Sequence, residues 1–282
     1  MIIVGVCFWI TTKCNLRCNI CYADLNSVAD NKLEGYLAIL EKLREFDIKK
    51  IAFTGGEPLL VPSLDEILIR AKGMKFKVAL TTNAILLDRP KLGKIQHFVD
   101  EISIPMDGFT KKTLSLHRTD KHQHENVLNI IRSSKDYDIK FDVSTVLTKH
   151  NKSEIFDILN FLESNGIYKW KVFQYSLLNR SEDMNIDFTL PEDSFLEIQS
   201  KIYEHISNNN YSIQVDFRNN SSSSINSYIN ILPNGKLLLS DGNNYVDVGN
   251  IMNFSNYNDF LVRLIENDFS FEEHKRRHVR DI

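Results

Sequence analysis

Residues 7–21 read CFWITTKCNLRCNIC, and this stretch carries all four cysteines of the 282-residue chain. The run from Ile2 to Ile10 is rich in β-branched and aromatic residues, which predicts a buried strand with the cysteines following as a loop. Disulfides this close together would constrain almost none of the chain, and clustered thiols of this kind more often bind metal or perform redox chemistry. We therefore expect Cys14, Cys18 and Cys21 to surround one small inorganic centre.

The spacing CxxxCxxC is compatible with two kinds of metal centre. Three thiolates hold three irons of a [4Fe-4S] cluster and leave the fourth iron open, whereas structural zinc and cluster sites usually take four protein ligands. A zinc site would form if Cys7 or a histidine supplied the fourth ligand, and the thiols could also be unrelated and buried. The triplet indicates a cluster with an open coordination site and leaves zinc as an alternative.

Strand and helix signals alternate after the cysteine loop. Helical periodicity over residues 33–46 precedes a short strand at 51–54, and the alternation continues to residue 174. The later helices are predicted at 64–72, 91–97, 126–134 and 153–164, and the later strands at 76–81, 101–104, 140–147 and 168–174. This pattern predicts a parallel sheet with right-handed crossovers, and six units are too few for a closed eight-unit barrel. The expected fold is α/β, a partial (β/α)6 barrel.

The pattern changes after residue 180. A predicted helix at 192–206 is followed by a polar stretch, and the turn Pro233-Asn234-Gly235 separates two short strands at 228–232 and 236–239. We expect residues 1–180 to form the barrel core and residues 181–282 to form a small C-terminal α+β cap packed on it as a single unit. The charged tail, residues 272–282, is expected to be loosely held.

A second motif follows the second predicted strand, where the sequence reads Thr54-Gly55-Gly56-Glu57-Pro58. This is the carboxyl end of the strand, the end at which parallel sheets and barrels bind ligands. Glycines expose backbone for close approach there, and proline stiffens the exit from the strand. Alone, this turn could simply end a strand.

Together, CxxxCxxC after strand one and GGEP after strand two resemble the radical S-adenosylmethionine (radical SAM) enzymes, over roughly residues 8 to 175. The resemblance implies a [4Fe-4S] cluster held by Cys14, Cys18 and Cys21, with SAM chelating the open iron. It implies reductive cleavage of SAM to a 5′-deoxyadenosyl radical, which abstracts a hydrogen atom from the substrate. The implied partners are a small-molecule substrate and an electron donor such as flavodoxin or ferredoxin.

The same resemblance implies a set of SAM-binding residues. Some match the amino-group site and the adenine contact, and others match contacts to the carboxylate and ribose. The first group is Gly55, Gly56, Glu57, Pro58 and Ile20, and the second is Asn83, Ser103 and Arg118. Each of the second group has a simpler interpretation, because Asn83 could cap a turn, Ser103 could be a core hydroxyl, and Arg118 lies in a basic run. We expect the neighbouring His117, His122 and His124 to be surface residues.

The sixth predicted strand places Lys169 and Lys171 on one face. If that face points into the barrel, the two lysines require an anionic partner; otherwise they are solvated at an edge. Here the sequence resembles viperin and its prokaryotic relatives, an antiviral family that converts a nucleoside triphosphate to its 3′-deoxy-3′,4′-didehydro form. The resemblance implies substrate contacts from Lys169, Lys171 and Tyr228, and Arg218 is a further candidate. Asp142 departs from that family, which tends to carry a lysine there.

Composition restricts the remaining possibilities. The chain is 43% hydrophobic and 25% charged, and its net charge is −3, which supports a full core and argues against dedicated nucleic-acid or membrane binding. No apolar run reaches the ~18 residues of a membrane span and no signal peptide is recognisable, so a cytoplasmic location is expected. No cysteine follows Cys21, which favours a single-cluster enzyme. The alternatives are a single-cluster dehydrogenase, epimerase or decarboxylase of a sugar, peptide or other small anion, and a zinc-stabilised binding module.

Overall fold

The computed structural model describes residues 2–23, 28–120, 122–177, 187–221, 226–240 and 244–279. The strands in this part of the chain are β1 (Gly5–Thr11), β2 (Lys50–Gly55), β3 (Lys77–Thr81), β4 (Glu101–Pro105), β5 (Lys140–Leu147), β6 (Lys169–Gln174), β7 (Gln214–Arg218), β8 (Asn230–Ile231), β9 (Lys236–Ser240) and β10 (Tyr245–Asn250). The helices are α1 (Leu33–Glu45), α2 (Leu64–Gly73), α3 (Arg89–Ile95), α4 (Lys111–His117), α5 (Gln123–Ser133), α6 (Ile155–Ser164), α7 (Glu192–Asn209), α8 (Tyr257–Ile265) and α9 (Phe271–Val279).

The described strands form one sheet in the order β10-β9-β8-β1-β2-β3-β4-β5-β6-β7. Strands β1 to β7 are neighbours in chain order and pair in parallel. Such pairs need crossover connections, and helices lie between the consecutive strands. The predicted partial (β/α)6 barrel is confirmed, and β7, which the polar sequence around Arg218 did not reveal, extends it by one parallel strand.

The two faces of the curved sheet differ in chemistry. Phe8 of β1 contacts Tyr36 of α1, and alternate residues of the other strands join the same buried apolar core beneath the helices. The opposite face is the inner wall of the barrel, and it carries Lys50, Ser103, Asp142 and Lys171. Strand alternation therefore places apolar side chains against the helices and polar ones in the interior.

The strands that follow β6 extend the barrel sheet on both sides, because β7 pairs with β6 while β8, β9 and β10 lie on the side of β1. The predicted hairpin around Pro233-Asn234-Gly235 is confirmed, because β8 and β9 pair in antiparallel fashion, and β8 also pairs in parallel with β1. Strand β10 then pairs with β9 at the end of the sheet. The predicted boundary at residue 180 lies outside the described residues, so the division into core and cap stays a prediction.

Residues 280–282 lie outside the described part of the chain, and the expectation of a loosely held tail is wrong for residues 272–279. They lie in helix α9, in which His274 is fully buried and Arg277 nearly so. His274 Nε2 accepts hydrogen bonds from the backbone N–H groups of Val4 (3.1 Å) and Gly5 (3.5 Å), while Nδ1 contacts Ser227 O at 3.0 Å. The charged residues of this tail had suggested exposure to solvent, but one face of the helix is buried and holds the start of β1.

No helix in the described ranges combines the length and the apolar character needed to cross a membrane.

Candidate functional site

The three cysteines of the motif lie in the loop after β1, and each sulfur accepts a hydrogen bond from nitrogen. Cys14 Sγ accepts from the backbone N–H of Leu16 at 3.4 Å, and Cys21 Sγ accepts from that of Ala23 at 3.4 Å. Cys18 Sγ lies 3.7 Å from Nη1 of Arg118. Burial raises the pKa of the Cys14 and Cys18 thiols. Donors aimed at sulfur favour the thiolate form that ligates metal.

Gly55 and Gly56 allow the loop after β2 to touch the loop after β1. A Cβ atom on Gly55 would lie 2.1 Å from the carbonyl oxygen of Thr11, and one on Gly56 would lie 2.0 Å from that of Lys13. Gly55 also has a positive φ of 128°, which disfavours residues with a side chain. The sequence had suggested that these glycines allow a ligand to approach the backbone. In the structure it is the cysteine loop that approaches them.

The carboxylate of Glu57 points into the protein. Its Oε1 accepts hydrogen bonds from Thr82 Oγ1 (2.7 Å) and Leu59 N (3.0 Å), and its Oε2 accepts one from Asn83 N (2.7 Å). The side chain is fully buried, and burial raises its pKa despite these donors. Only the backbone of residues 55–57 is consequently left for the predicted contact to a ligand amino group, because the Glu57 side chain holds the loops together.

Asn83 connects the loop after β3 to the cysteine loop. Its Nδ2 donates to Asn15 Oδ1 at 2.7 Å and lies 3.8 Å from Cys14 Sγ, and its Oδ1 accepts from the backbone N–H of Ile85. The turn-capping interpretation is thus correct for the side-chain oxygen. The amide nitrogen meanwhile lies beside the predicted cluster ligand, so Asn83 belongs to the same site.

Arg118 forms an ion pair with a buried carboxylate that the sequence analysis did not single out. Its Nε and Nη2 both lie 2.6 Å from Oδ2 of Asp107, whose Oδ1 accepts from Val146 N at 2.7 Å. Burial lowers the pKa of Arg118, but Asp107 and Cys18 raise it by more than burial lowers it. The net effect is a raised pKa, so the guanidinium stays charged. Asp107 lies two residues after the end of β4, a position that could have marked it as a site residue.

Ile20 is buried against a small apolar cluster, separate from the main core, that contains Tyr175 and Phe188. It lies between two of the motif cysteines, so this cluster forms an apolar surface next to the predicted metal centre. Such a surface suits the flat face of a purine, which is the role that the resemblance implies for Ile20.

The expectation of three surface histidines is wrong for two of them. His117 is fully buried, with Nδ1 2.7 Å from Thr113 O and Nε2 2.9 Å from Thr148 Oγ1, and burial lowers its pKa. His124 is also buried and contacts Phe109 O through Nε2. Only His122 is exposed. Helix α4, which the sequence analysis did not identify, places His117 on the helix face that packs inward.

Two carboxyl groups and two lysines form a buried network on the inner wall. Ser103 Oγ donates to Asp142 Oδ1 at 2.6 Å, and Lys171 Nζ lies 2.8 Å from Asp142 Oδ2. Lys171 also lies 3.7 Å from Glu101, which pairs with Lys50 at 2.9 Å. Lys171 therefore does point into the barrel, but its anionic partners come from the protein. Ser103 is a hydrogen-bonded hydroxyl of this network, as its simpler interpretation predicted.

The other predicted substrate contacts lie nearby on the same wall. Lys169 is buried on β6 next to β7. Arg218 is held by Asp216 Oδ2 through Nε (3.0 Å) and Nη2 (2.7 Å), donates to the hydroxyl of Tyr228, and stacks 5.1 Å above the Phe173 ring. Phe173, Arg218 and Tyr228 thus form one cluster beside the lysines, which the sequence could not bring together.

Three aromatic residues that the sequence analysis did not single out line the barrel near the cysteine loop. Trp9 packs edge-on against Tyr22, with ring centroids 6.2 Å apart, and against Tyr245 of β10 at 5.7 Å. The indole nitrogen donates to Asn230 Oδ1 at 3.2 Å. Tyr22 follows Cys21 directly, which was the available signal; the contribution from β10 depends on the fold.

The residues present fit an iron–sulfur cluster with a further ligand. The sulfurs carry N–H donors, a guanidinium offsets thiolate charge, and the glycine turn brings backbone against the loop. No group of three or more His, Cys, Asp and Glu side chains among the described residues is arranged around a single metal ion. Cluster ligands bind different irons and need not meet at one point.

The fold and site define a partial-barrel enzyme with a thiol-rich loop at the carboxyl ends of its strands. The model of the radical SAM superfamily matches residues 10–162. The chain belongs to the radical SAM superfamily: it is an enzyme that uses a [4Fe-4S] cluster and SAM.

Relatives in sequence differ in their named activities. The chain is 28% identical over 256 residues to an S-adenosylmethionine-dependent nucleotide dehydratase of Flammeovirga pacifica, covering 87% of this chain and 85% of that one. A protein of the same name from a Thermoplasmatales archaeon is 24% identical, covering 67% of this chain and 68% of that one. A GTP 3′,8-cyclase of Aquifex aeolicus is 27% identical, covering 68% of this chain and 62% of that one.

Solved structures show the same fold at low identity. Streptococcus suis SuiB bound to S-adenosylmethionine superposes with a TM-score of 0.75 at 15% identity, covering 97% of this chain and 67% of that one. The enzyme anSMEcpe with bound AdoMet gives 0.74 at 17% identity, covering 95% of this chain and 82% of that one.

Proposed function

We propose that this enzyme dehydrates a nucleotide, removing the 4′ hydrogen and the 3′ hydroxyl to give a 3′-deoxy-3′,4′-didehydro nucleotide. When bound, the cluster and SAM would supply the radical that abstracts the hydrogen atom. Cys14, Cys18 and Cys21 are the proposed cluster ligands. The backbone of residues 55–57 and the side chains of Asn83 and Arg118 are the proposed SAM-binding groups, because they border the cysteine loop.

The observation that carries this proposal is the nucleotide dehydratase of Flammeovirga pacifica, which this chain matches over 87% of its own length. A match of that length extends beyond residues 10–162, the range of the superfamily model. The inner wall offers suitable groups, because Arg218 and Tyr228 present donors beside the Phe173 ring. These residues and Lys169 are the proposed contacts to phosphate and sugar.

The test is SAM cleavage by the anaerobically reconstituted and reduced enzyme. CTP, UTP, GTP and ATP, with the corresponding mono- and diphosphates, are supplied separately, and 5′-deoxyadenosine and nucleotide products are quantified by mass spectrometry. We expect one base to raise 5′-deoxyadenosine formation at least about tenfold over the no-substrate rate. The product should be lighter than its substrate by one water.

A result with no stimulation by any nucleotide would contradict the proposal while leaving the radical SAM assignment intact. Zinc in place of iron in an anaerobic preparation would contradict the cluster ligands as proposed. A Cys18→Ser variant serves as the control, because it should lose iron and all cleavage activity. Cys7→Ser should keep both, because Cys7 lies on β1 before the loop.

The internal ion pairs of the inner wall support a second candidate, a dehydrogenase or epimerase of a sugar or other small hydroxylated anion. Lys171 is already paired with Asp142 and Glu101, so it attracts a polyphosphate less strongly than an unpaired lysine would. The same assay separates the two candidates. Stimulation by a sugar phosphate, with a product two mass units lighter or of unchanged mass, would favour the second.

A further inference from the structure

Helix α9 lies at the amino-terminal end of the barrel strands, opposite the end that carries the cysteine loop. Its His274 contacts the backbone of Val4 and Gly5 at the start of β1. Barrels bind ligands at the carboxyl ends of their strands, and residues at the opposite end usually serve stability. Helix α9 also lies outside residues 10–162, so the match to the superfamily model says nothing about its role.

Two consecutive residues just before β8 are held by this helix. The carbonyl oxygen of Ser227 lies 3.0 Å from Nδ1 of His274, and the guanidinium carbon of Arg277 lies 4.1 Å from the centroid of the Tyr228 ring. Arg277 is only 4% exposed, and its Nε donates to Glu273 Oε1 at 3.1 Å. Helix α9 therefore places an oriented cation over the Tyr228 ring, at the distance of a cation–π interaction.

The hydroxyl group of Tyr228 is held by a different residue. Arg218 donates a hydrogen bond to it through Nη1, and the guanidinium carbon of Arg218 lies 5.7 Å from the Tyr228 ring centroid. Arg218 is itself fixed by Asp216 Oδ2, at 3.0 Å from Nε and 2.7 Å from Nη2, and by the Phe173 ring. The ring of Tyr228 thus depends on Arg277, and its hydroxyl group depends on Arg218.

Tyr228 is the accessible member of its pair with Arg277. It is half-buried, whereas Arg277 is buried between the helix and the ring. Burial raises the pKa of Tyr245, with smaller increases from groups that include Cys21 and Tyr228. Tyr228 therefore lies within electrostatic range of a residue that the cysteine loop also reaches. Any effect of Arg277 on a ligand in the barrel has to pass through Tyr228.

We propose that Arg277 is a positioning residue for the substrate site. It holds the Tyr228 ring so that the Tyr228 hydroxyl group and the Arg218 guanidinium group face the nucleotide together. The proposal rests on the proposed function, which takes Tyr228 and Arg218 as contacts to phosphate and sugar. Because the Tyr228 oxygen accepts a hydrogen bond from Arg218, its own proton can be donated to an oxygen atom of the nucleotide. Without the cation of Arg277, the ring loses the contact that fixes this arrangement.

The first measurement follows Tyr228 directly and needs no substrate. Reconstituted enzyme with an oxidised cluster is labelled with 3-fluorotyrosine and compared by ¹⁹F NMR, and Tyr228→Phe identifies the resonance of Tyr228. We expect Arg277→Gln to shift or broaden this resonance, because the ring loses both a nearby charge and a packing partner. Arg277→Lys, which keeps a cation, should move it less. Lys275→Gln is the matched control, since it removes one positive charge from an exposed position of the same helix.

The second measurement tests whether the position of Tyr228 matters for the substrate. Dissociation constants of CTP, UTP, GTP and ATP are measured by anaerobic calorimetry on the SAM-loaded wild type, and the tightest-binding nucleotide is used for the variants. We expect Arg277→Gln to weaken its binding at least about fivefold, with Lys275→Gln and the affinity for SAM staying within about twofold of wild type. In a Tyr228→Phe background, Arg277→Gln should add no more than about twofold.

Three results would overturn the inference. An unchanged Tyr228 resonance in Arg277→Gln would show that the ring does not depend on Arg277, whatever the substrate is. Equal weakening of SAM and nucleotide binding would show that Arg277 only stabilises the fold. Fully additive effects of Arg277→Gln and Tyr228→Phe would show that Arg277 does not act through Tyr228.

Failure of the proposed function gives a different result. If wild type binds none of the four nucleotides, the proposed function and the substrate role of Arg277 both fail, while the fluorine spectrum still decides whether Arg277 positions Tyr228. If Arg277→Gln does not fold, Glu273→Gln takes its place, because it weakens the contact that orients Arg277 and keeps the cation. The same shift of the Tyr228 resonance and the same selective loss of nucleotide affinity are then expected.

Discussion

Arg118 Nη1 lies 3.7 Å from Cys18 Sγ, and Asp107 fixes the guanidinium group in that position through two contacts of 2.6 Å. Charges and hydrogen bonds near cluster sulfurs set the reduction potential. Arg118→Gln removes the charge and should therefore shift the potential of the bound cluster negatively, on the order of tens of millivolts. A redox titration followed by electron paramagnetic resonance measures this shift.

Arg17→Gln is the control for that titration. Arg17 lies in the same loop, and its guanidinium donates to the carbonyl oxygens of Cys14 and Leu16 with no described contact to sulfur. We expect a smaller shift from this variant. Equal potentials for wild type and Arg118→Gln would contradict the placement of Arg118 beside a proposed cluster ligand.

Gly56→Ala should prevent the loops after β1 and β2 from meeting, because the new Cβ would lie 2.0 Å from the carbonyl oxygen of Lys13. We expect the free energy of unfolding of the variant to fall by at least about 2 kcal/mol, and we expect it to bind less than half of the wild-type amount of iron. Urea unfolding and iron analysis measure the two effects. Gly73→Ala is the matched control, since nothing lies within 4 Å of its Cβ position, and this helix-terminal change should leave iron binding unchanged. Full iron binding by Gly56→Ala would show that the loops can separate.

Glu57→Ala should be strongly destabilising, because it leaves Thr82 Oγ1, Asn83 N and Leu59 N without their buried acceptor. We expect a loss of about 3 kcal/mol or more in the free energy of unfolding, measured in urea, and a smaller loss for Glu57→Gln, which keeps one oxygen. Glu45→Ala, at the exposed end of α1, should change stability little. A loss of SAM binding without any loss of stability would mean that the Glu57 carboxylate acts on the ligand directly.

Protonation of His274 should make the protein less stable in mild acid. Burial, with a further contribution from Arg277, lowers its pKa from 6.5 to about 4, against the effect of Ser227, so the folded state favours the neutral ring. Its stabilising effect is then complete above the unfolded pKa of 6.5 and is lost as the pH falls towards 4, by about 3 kcal/mol in total. Urea unfolding between pH 7.5 and 5 measures the onset of this loss.

His274→Gln should flatten that pH dependence, because Gln offers an acceptor to Val4 and Gly5 but does not titrate in this range. His122→Gln, at an exposed position, should leave the dependence as in wild type. An unchanged slope in His274→Gln would mean that another buried group controls the acid response.

The sequence predicted the barrel well because each signal was local. Alternation of helix and strand periodicity predicted β2 to β6 with ends within one residue and β1 with a start three residues too early, and the turn at Pro233-Asn234-Gly235 predicted the hairpin. Strand β7 was missed although Val215 and Phe217 form an apolar face, because the strand is only five residues long and runs into the polar stretch after Arg218. Helix α9 was missed because its mean composition is charged, although His274 and Arg277 are buried.

The candidate site also combines features that the sequence reveals with features that only the fold reveals. The spacing of Cys14, Cys18 and Cys21 and the glycine turn at Gly55 and Gly56 depend on neighbours in the chain, so the sequence revealed them. The partner of Arg118 could not be read in this manner. Asp107 lies eleven residues away, at the end of another element, and only packing shows that it and not solvent receives the guanidinium group.

The sequence by itself determined the superfamily, the cluster motif and the order of strands and helices, because these follow from residue type and short-range spacing. Tertiary structure decided which charges meet. Lys171 and Asp142 lie 29 residues apart and Lys50 and Glu101 lie 51 apart, yet both pairs are buried together. Parallel register brings these strands side by side, and exclusion of water makes each charge depend on its neighbour. The sequence identified Lys171 as a candidate for the inner wall, but only the fold shows that it and Lys50 form ion pairs with carboxyl groups of the same chain.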